Sequence, residues 1–156
     1  MGGWFVVNAR DAQWTGGNGR SAICKFERDD DRFEQLGLNV NVIEPGELST
    51  LYHAEGAQED FLVLAGSCIL LVDEEERTLG PWDFFHCPAG TPHALVAGDE
   101  RCIVVQVGAR PGTGVVYPES ELARRHRVGV ERETSSVAEA YGERRREPVQ
   151  YEGRLD

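Results

Sequence analysis

The sequence predicts an all-β fold, a sandwich or small barrel, and three observations point that way. Short apolar runs recur from Trp4 to about Val107, separated by Gly or Pro turns, with no helix-like segment between them. Several runs are apolar on both parities, as in a closed sheet whose outer face packs on a second sheet or a partner chain. After Gly108 the text turns turn-rich and then helix-like.

The elements follow in order. WFVV (4–7) and AICKFE (22–27) are the first candidate strands. LNVNVIEP (38–45) alternates apolar and polar, the mark of a half-buried strand, and Pro45-Gly46 breaks it. STLYHAE and DFLVLAG follow, divided by Gly56. SCILLVD and the residues around Arg77-Thr78-Leu79 flank an acidic turn and read as a hairpin. Gly80-Pro81 opens the next turn, and DFFHCP, HALVAG and RCIVVQVG complete the series. ARPGTGVVYPES is turn-rich, and a helical turn is expected over 120–126. Ser135 or Ser136 can cap a second helix through Ala138, Glu139, Ala140 and Tyr141, with Arg144, Arg145 and Arg146 favourable at its C-terminal end. The expected organisation is a β domain over 1–117 and a partly helical C-terminal extension over 118–156. The tail from Glu147 carries no pattern.

At 156 residues the chain suits one domain with a real core. No apolar run approaches the roughly 20 residues that span a bilayer. The N-terminal MGGWFVVNARD lacks a basic region followed by a long apolar one, so the expected location is cytoplasmic. Net charge is -11, and residues 1–117 hold 18 acids against 8 bases. Such a body repels phosphate backbones, which argues against a nucleic-acid partner. Cys24, Cys68, Cys87 and Cys102 include no CxxC pair, so buried reduced thiols are expected.

The chemistry concentrates in two runs, YHAEGAQEDFLVLAG (52–66) and CPAGTPHALV (87–96). They hold His53, Glu55, Glu59 and His93, two imidazoles and two carboxylates. Three of the four histidines fall within 53–93. Side chains two apart on a strand face one way, so His53 and Glu55 project together. Glu59 shares the parity of Phe61 and Val63, and His93 that of Leu95. Donors on separate strands converge only if the sheet curls. The set suits one divalent ion, Zn, Fe or Mn first, with Ni or Co also compatible. Two His and one Glu alone would make a facial triad with open positions. Satisfied core polar groups are the other reading of the same residues. His86 is expected to pack or face outward, and Tyr52 to point away from the site. Phe61, Val63 and Phe85 are core or site lining. His126, among Arg124, Arg125 and Arg127, is expected on a solvated helix face.

The two runs resemble the two motifs of the cupin superfamily. Pro45-Gly46, His53, Glu59 and Gly66 stand for the first, Pro88-Ala89-Gly90-Thr91-Pro92-His93 for the second. The resemblance covers about residues 38–107 and implies a small jelly-roll barrel. It also implies a metal held by His53, Glu59, His93 and Glu55. Four departures matter. Glu55 occupies the second His of HxH, Gly46 to His53 is one residue longer than the usual spacing, Trp82 stands where the second motif has Gly, and Ala97 where it has Asn. Glu55 is either a ligand, making the site harder, or a neighbour of the ligands able to act as general base. The resemblance implies a metal-dependent enzyme on a small molecule, of dioxygenase, isomerase, epimerase or decarboxylase type. The alternative it leaves is a non-catalytic ligand-binding or sensor module with a structural metal. It further implies a homodimer.

Overall fold

A computed structural model describes residues 3–110, 112 and 114–156. Pro111 and Thr113 of the turn-rich run lie outside the described residues. The described chain is built on antiparallel sheets, as expected. One sheet holds β1 (Gln13–Gly17), β2 (Arg20–Lys25), β3 (Leu36–Ile43), β5 (Glu59–Ala65), β8 (Phe84–Cys87), β10 (Cys102–Ala109) and β12 (Glu147–Val149). Its order is β12-β1-β2-β3-β10-β5-β8. Opposite lie β6 (Cys68–Val72), β7 (Glu75–Leu79) and β9 (His93–Ala97) in the order β7-β6-β9, and the pair β4 (Ala54–Glu55) with β11 (Val115–Val116). A bridge between His53 and His93 joins these two smaller pieces.

Parity builds the interior. Phe61 and Val63 of β5, Cys68 and Leu70 of β6, Leu95 of β9, and Cys102 and Val104 of β10 form one buried cluster between the sheets. Burying side chains of this size stabilises by roughly 1.5–3 kcal/mol each. The opposite parity is apolar too, and the chain itself covers it. Leu71 and Ala94 pack under Tyr117, Leu122, Val128 and Val130 of the C-terminal segment. Val40 and Val42 pack with Trp14, Tyr151 and Leu155 on the outer side of the large sheet. On these strands the second apolar face is covered by the chain itself.

Ser120 caps α1 (Glu121–Arg125) by accepting from the Ala123 N–H, and Ser136 caps α2 (Val137–Tyr141) through the Glu139 N–H. The tail without a sequence pattern adds β12 to the edge of β1. The strand expected over 4–7 does not form. Trp4 and Val6 are exposed and no strand edge receives them, so apolarity alone does not make a strand there. Instead β1 begins at Gln13 and turns through Gly17-Asn18-Gly19 into β2.

Gly66 shows why one motif position is glycine. It sits at φ +69° in the turn between β5 and β6, and a Cβ there would fall 1.7 Å from the Arg101 carbonyl oxygen. Trp82 shows the reverse. It stands where the motif has Gly and still adopts φ +71°, a conformation that strains an ordinary side chain. No helix among the described residues is long and apolar enough to cross a membrane.

Candidate metal centre

His53, Glu59 and His93 come together at one end of the barrel. One ligand atom from each lies within 4.8 Å of the others. The backbone sets this directly. The His53 N–H donates to the His93 carbonyl at 3.0 Å and the His93 N–H to the His53 carbonyl at 2.9 Å, so the imidazoles sit side by side with centroids 4.8 Å apart. Glu59 reaches in from the other sheet, where β5 pairs with β8 and β10. The turn of the second run is tied to the first by the Gly90 N–H, which donates to the Glu55 carbonyl at 2.7 Å.

Both imidazoles have their tautomer fixed. His53 Nδ1 lies 2.7 Å from the Leu51 carbonyl and His93 Nδ1 3.0 Å from the Thr91 carbonyl. A carbonyl only accepts, so each Nδ1 carries a proton and each neutral ring presents a bare Nε2. Both Nε2 atoms face Glu59 Oε2, at 3.9 Å from His53 and 3.3 Å from His93. That oxygen is buried and has no hydrogen-bond partner. Three lone-pair donors thus converge with nothing shared between them. A buried carboxylate oxygen without a donor is costly, and a cation among these atoms relieves it. The residues present therefore fit a divalent ion.

The two rings differ in proton affinity. Burial and the neighbouring His93 push His53 down to about 4, so it stays neutral. Burial also opposes charge on His93, but contacts with Cys87, Glu59 and the Thr91 carbonyl outweigh it and raise the ring to about 10. Without an ion, a proton on His93 Nε2 offsets Glu59; the lone pair there is offered only when a cation takes the place of that proton.

Glu55 stands beside this trio rather than within it. Its Oε1 lies 3.7 Å from His53 Nε2, and its side chain is 40% exposed, against 8% for His53. Burial, then the charge of Glu59, raises its carboxyl above the usual range. Such a group is placed to exchange protons with solvent at the mouth of the site.

Phe61 and Phe85 pack around His93, with centroids 5.3 and 5.9 Å away. His86 faces outward and pairs with Asp60 at 2.7 Å, away from the centre. Tyr52 is buried in the cluster beneath the C-terminal segment, its hydroxyl accepting from the Glu74 N–H. His126 is bound to Glu76 at 3.0 Å rather than standing free on a helix face.

Sequence reasoning missed the residues that aim the rings. Cys87 Sγ lies 3.3 Å from His93 Nδ1. Tyr117 packs against His53 with the rings tilted and their centroids 5.9 Å apart, and meets Tyr141 edge-on at 5.8 Å. The Tyr141 hydroxyl accepts from the N–H of Leu51, whose carbonyl holds His53. Tyr117 and Tyr141 reach the site from distant sequence, and Cys87, although it opens the second run, carries no pattern that marks it as a partner of His93.

Residues 39–108 match a family model described as a cupin domain. No curated protein matches the chain. Among solved structures, a sugar phosphate isomerase from a cupin superfamily of Silicibacter pomeroyi is 28% identical, with a TM-score of 0.53. The match covers 62% of this chain and 62% of that one, so the chain spans under two thirds of that protein's length. The DMSP lyase DddQ from Ruegeria pomeroyi is 25% identical over 70% of this chain and 64% of that one, with a TM-score of 0.57. The polyketide cyclase RemF from Streptomyces resistomycificus shares the fold, with 21% identity, a TM-score of 0.62, and coverage of 72% and 83%.

Proposed function

The chain belongs to the cupin superfamily, and from that premise we propose that it is a metal-dependent enzyme moving protons on a small molecule. His53, Glu59 and His93 hold one divalent ion, Zn, Fe or Mn in first preference. Glu55 is the general acid or base. The observation that carries this reading is Glu59 Oε2, buried without a hydrogen-bond partner and facing the Nε2 atoms of two imidazoles, with a half-exposed carboxyl beside them. Three protein ligands leave coordination positions open, which is the arrangement of catalytic rather than closed structural sites.

When bound, such an ion supplies Lewis acidity toward a substrate oxygen. His53 and His93 hold their lone pairs inward, and the Leu51 and Thr91 carbonyls keep them there. Glu55, half-exposed and raised in proton affinity, removes a proton from an adjacent carbon or returns one. Phe61 and Phe85 keep water from the His93 side. Isomerisation and elimination both need this pairing of Lewis acid and base. The likeness to a sugar phosphate isomerase and to a lyase supports that class. A homodimer and a cytoplasmic location belong to the same reading, and sedimentation checks the first.

The test is isotope exchange. Protein purified without a metal-affinity tag is analysed for metal, then incubated in deuterated water with a panel of sugar phosphates and small carboxylates. Deuterium incorporation that needs the ion and falls at least a hundredfold in Glu55→Gln, with metal content unchanged, is the expected result. Incorporation that survives complete demetallation, or metal loss on Glu55→Gln, overturns the assignment.

A further inference from the structure

A second polar feature lies outside the metal centre. Arg20, Arg144, Arg145 and Arg146 line one cavity of about 510 Å³ together with Tyr141 and Val137. The cavity sits where the segment after α2 crosses β2. On a chain of net charge -11, four arginines line one space, and among the described residues none forms an ion pair with a carboxylate. Two of them are well inside the fold. Arg20 is only 5% exposed and stacks on the Tyr141 ring, 4.1 Å from its centroid. Its Nε, Nη1 and Nη2 donate to the carbonyls of Leu48, Arg144 and Ser49. Arg146 donates from Nε to the Ser21 carbonyl and from Nη2 to Ser21 Oγ and the Ser49 carbonyl.

Carbonyl oxygens satisfy N–H groups but leave charge uncompensated. A buried cation without a counter-ion is costly, so such groups are ordinarily paired. Burial pulls Arg20 below its ordinary range, and burial with the adjacent Arg20 pulls Arg146 down to about 10. Glu47 supplies only a weak opposing charge to Arg146. Meanwhile Arg146 Nη1 and the whole side chains of Arg144 and Arg145 hold no hydrogen bond among the described residues, so fork-shaped donors remain free beside the cavity. Four cations exceed what a single carboxylate offsets, whereas a dianion with several acceptor oxygens suits planar guanidinium groups.

We propose that this cavity binds a phosphate dianion, free or as a phosphomonoester, independently of the metal centre. Arg20 and Arg146 form its charged floor, and Arg144 and Arg145 close over the anion from the rim.

The test uses the full chain, with heat of binding and thermal midpoint read at constant ionic strength. Inorganic phosphate and glycerol 3-phosphate are compared with succinate and chloride. Saturable binding of inorganic phosphate is expected, at least tenfold tighter than succinate. A response to glycerol 3-phosphate as strong as to phosphate would identify the ester form as a ligand. R144A/R145A keeps the wild-type midpoint in chloride, because neither side chain holds the fold, and weakens phosphate at least tenfold. Val137→Glu, at a half-exposed rim position, places a carboxylate in the cavity, raises the chloride midpoint and abolishes phosphate binding. Equal responses to every anion, or phosphate binding unchanged in both variants, would overturn the proposal and leave the arginines as clamps on the C-terminal segment.

Discussion

Glu59→Gln separates a metal ligand from a polar core group. The change keeps shape and removes one negative charge from the trio. Losing a charged ligand should weaken a divalent ion by about 100-fold, near 3 kcal/mol, with 10–100-fold typical even for groups behind the ligands. Linkage turns this into a thermal shift. With the ion at about 100 times the wild-type Kd, binding stabilises the native state by about 2.7 kcal/mol. For a chain of this size, about 1 kcal/mol moves the midpoint by roughly 3 °C, so the wild type gains about 8 °C. In the variant the same concentration sits near Kd, giving about 0.4 kcal/mol and roughly 1 °C. The assay is a melting curve with and without Mn or Zn, after chelator treatment and dialysis. An 8 °C gain retained in Glu59→Gln would show that Glu59 is no ligand. A wild type that gains nothing from any of Zn, Fe, Mn, Ni or Co would refute the site itself.

Three further outcomes test the fold around the site. Arg110 grips Glu27 with two bonds of 2.6 and 2.7 Å. With the Phe33 N–H that grip holds the Glu27 carboxyl down at about 2. A depressed carboxyl stabilises above its unfolded value of 4.5 and loses that contribution as pH falls toward 2. Glu27→Gln should therefore cost about 2 kcal/mol at pH 7 in a urea titration, with the difference from wild type fading below about pH 4. Gly66→Ala should cost at least about 4 kcal/mol or prevent soluble expression, since its Cβ would overlap the Arg101 carbonyl; a urea midpoint near wild type would contradict the turn described. Trp82→Gly should stabilise by about 0.5–1 kcal/mol, because relief of positive-φ strain outweighs the added unfolded-state freedom and this exposed ring packs little. A lowered urea midpoint would mean the ring contributes more than its exposure suggests.

Much of this molecule was legible in the order of its residues, and the reasons are physical. Strand parity is local, so the grouping of Phe61 with Val63 and of Leu95 with His93's face emerged from period-two counting alone. The second helix and its cap were legible to within one residue, Ser135 or Ser136, because capping depends on a few adjacent groups, whereas for the helical turn over 120–126 only the fold shows Ser120 as the cap. The run 4–7 misled because apolar content says nothing about whether a strand edge is free to receive it. Two-sided apolar strands indicated a covering layer without identifying it. Only the fold shows Tyr117, Leu122 and Val128 in that role. At the site, the donor atoms were legible by type and spacing. The carbonyls of Leu51 and Thr91 were not, since backbone oxygens leave no trace in a sequence, yet they decide which nitrogen each ring presents.

The departures from the family pattern have a common logic. At position 82 the side chain changed while the backbone kept the conformation that glycine would adopt freely, so the turn between β7 and β8 is imposed by its surroundings. The Trp82 N–H donates to the Val63 carbonyl at 2.8 Å, and Val63 returns the bond to Asp83 at 3.1 Å. At position 55 the backbone again holds its place, through the Gly90 N–H and the pairing with Val115. What changes there is charge and proton affinity. A histidine at 55 would add a third neutral nitrogen donor. Glu55 instead adds a second carboxyl beside Glu59, raised in proton affinity by burial and by that neighbour. On the function proposed above, it is the base within reach of the bound molecule. Removing a proton beside an ion-polarised carbonyl needs that base more than it needs a fourth ligand. On the function proposed above, the replacement favours proton transfer over a centre that relies on charge alone.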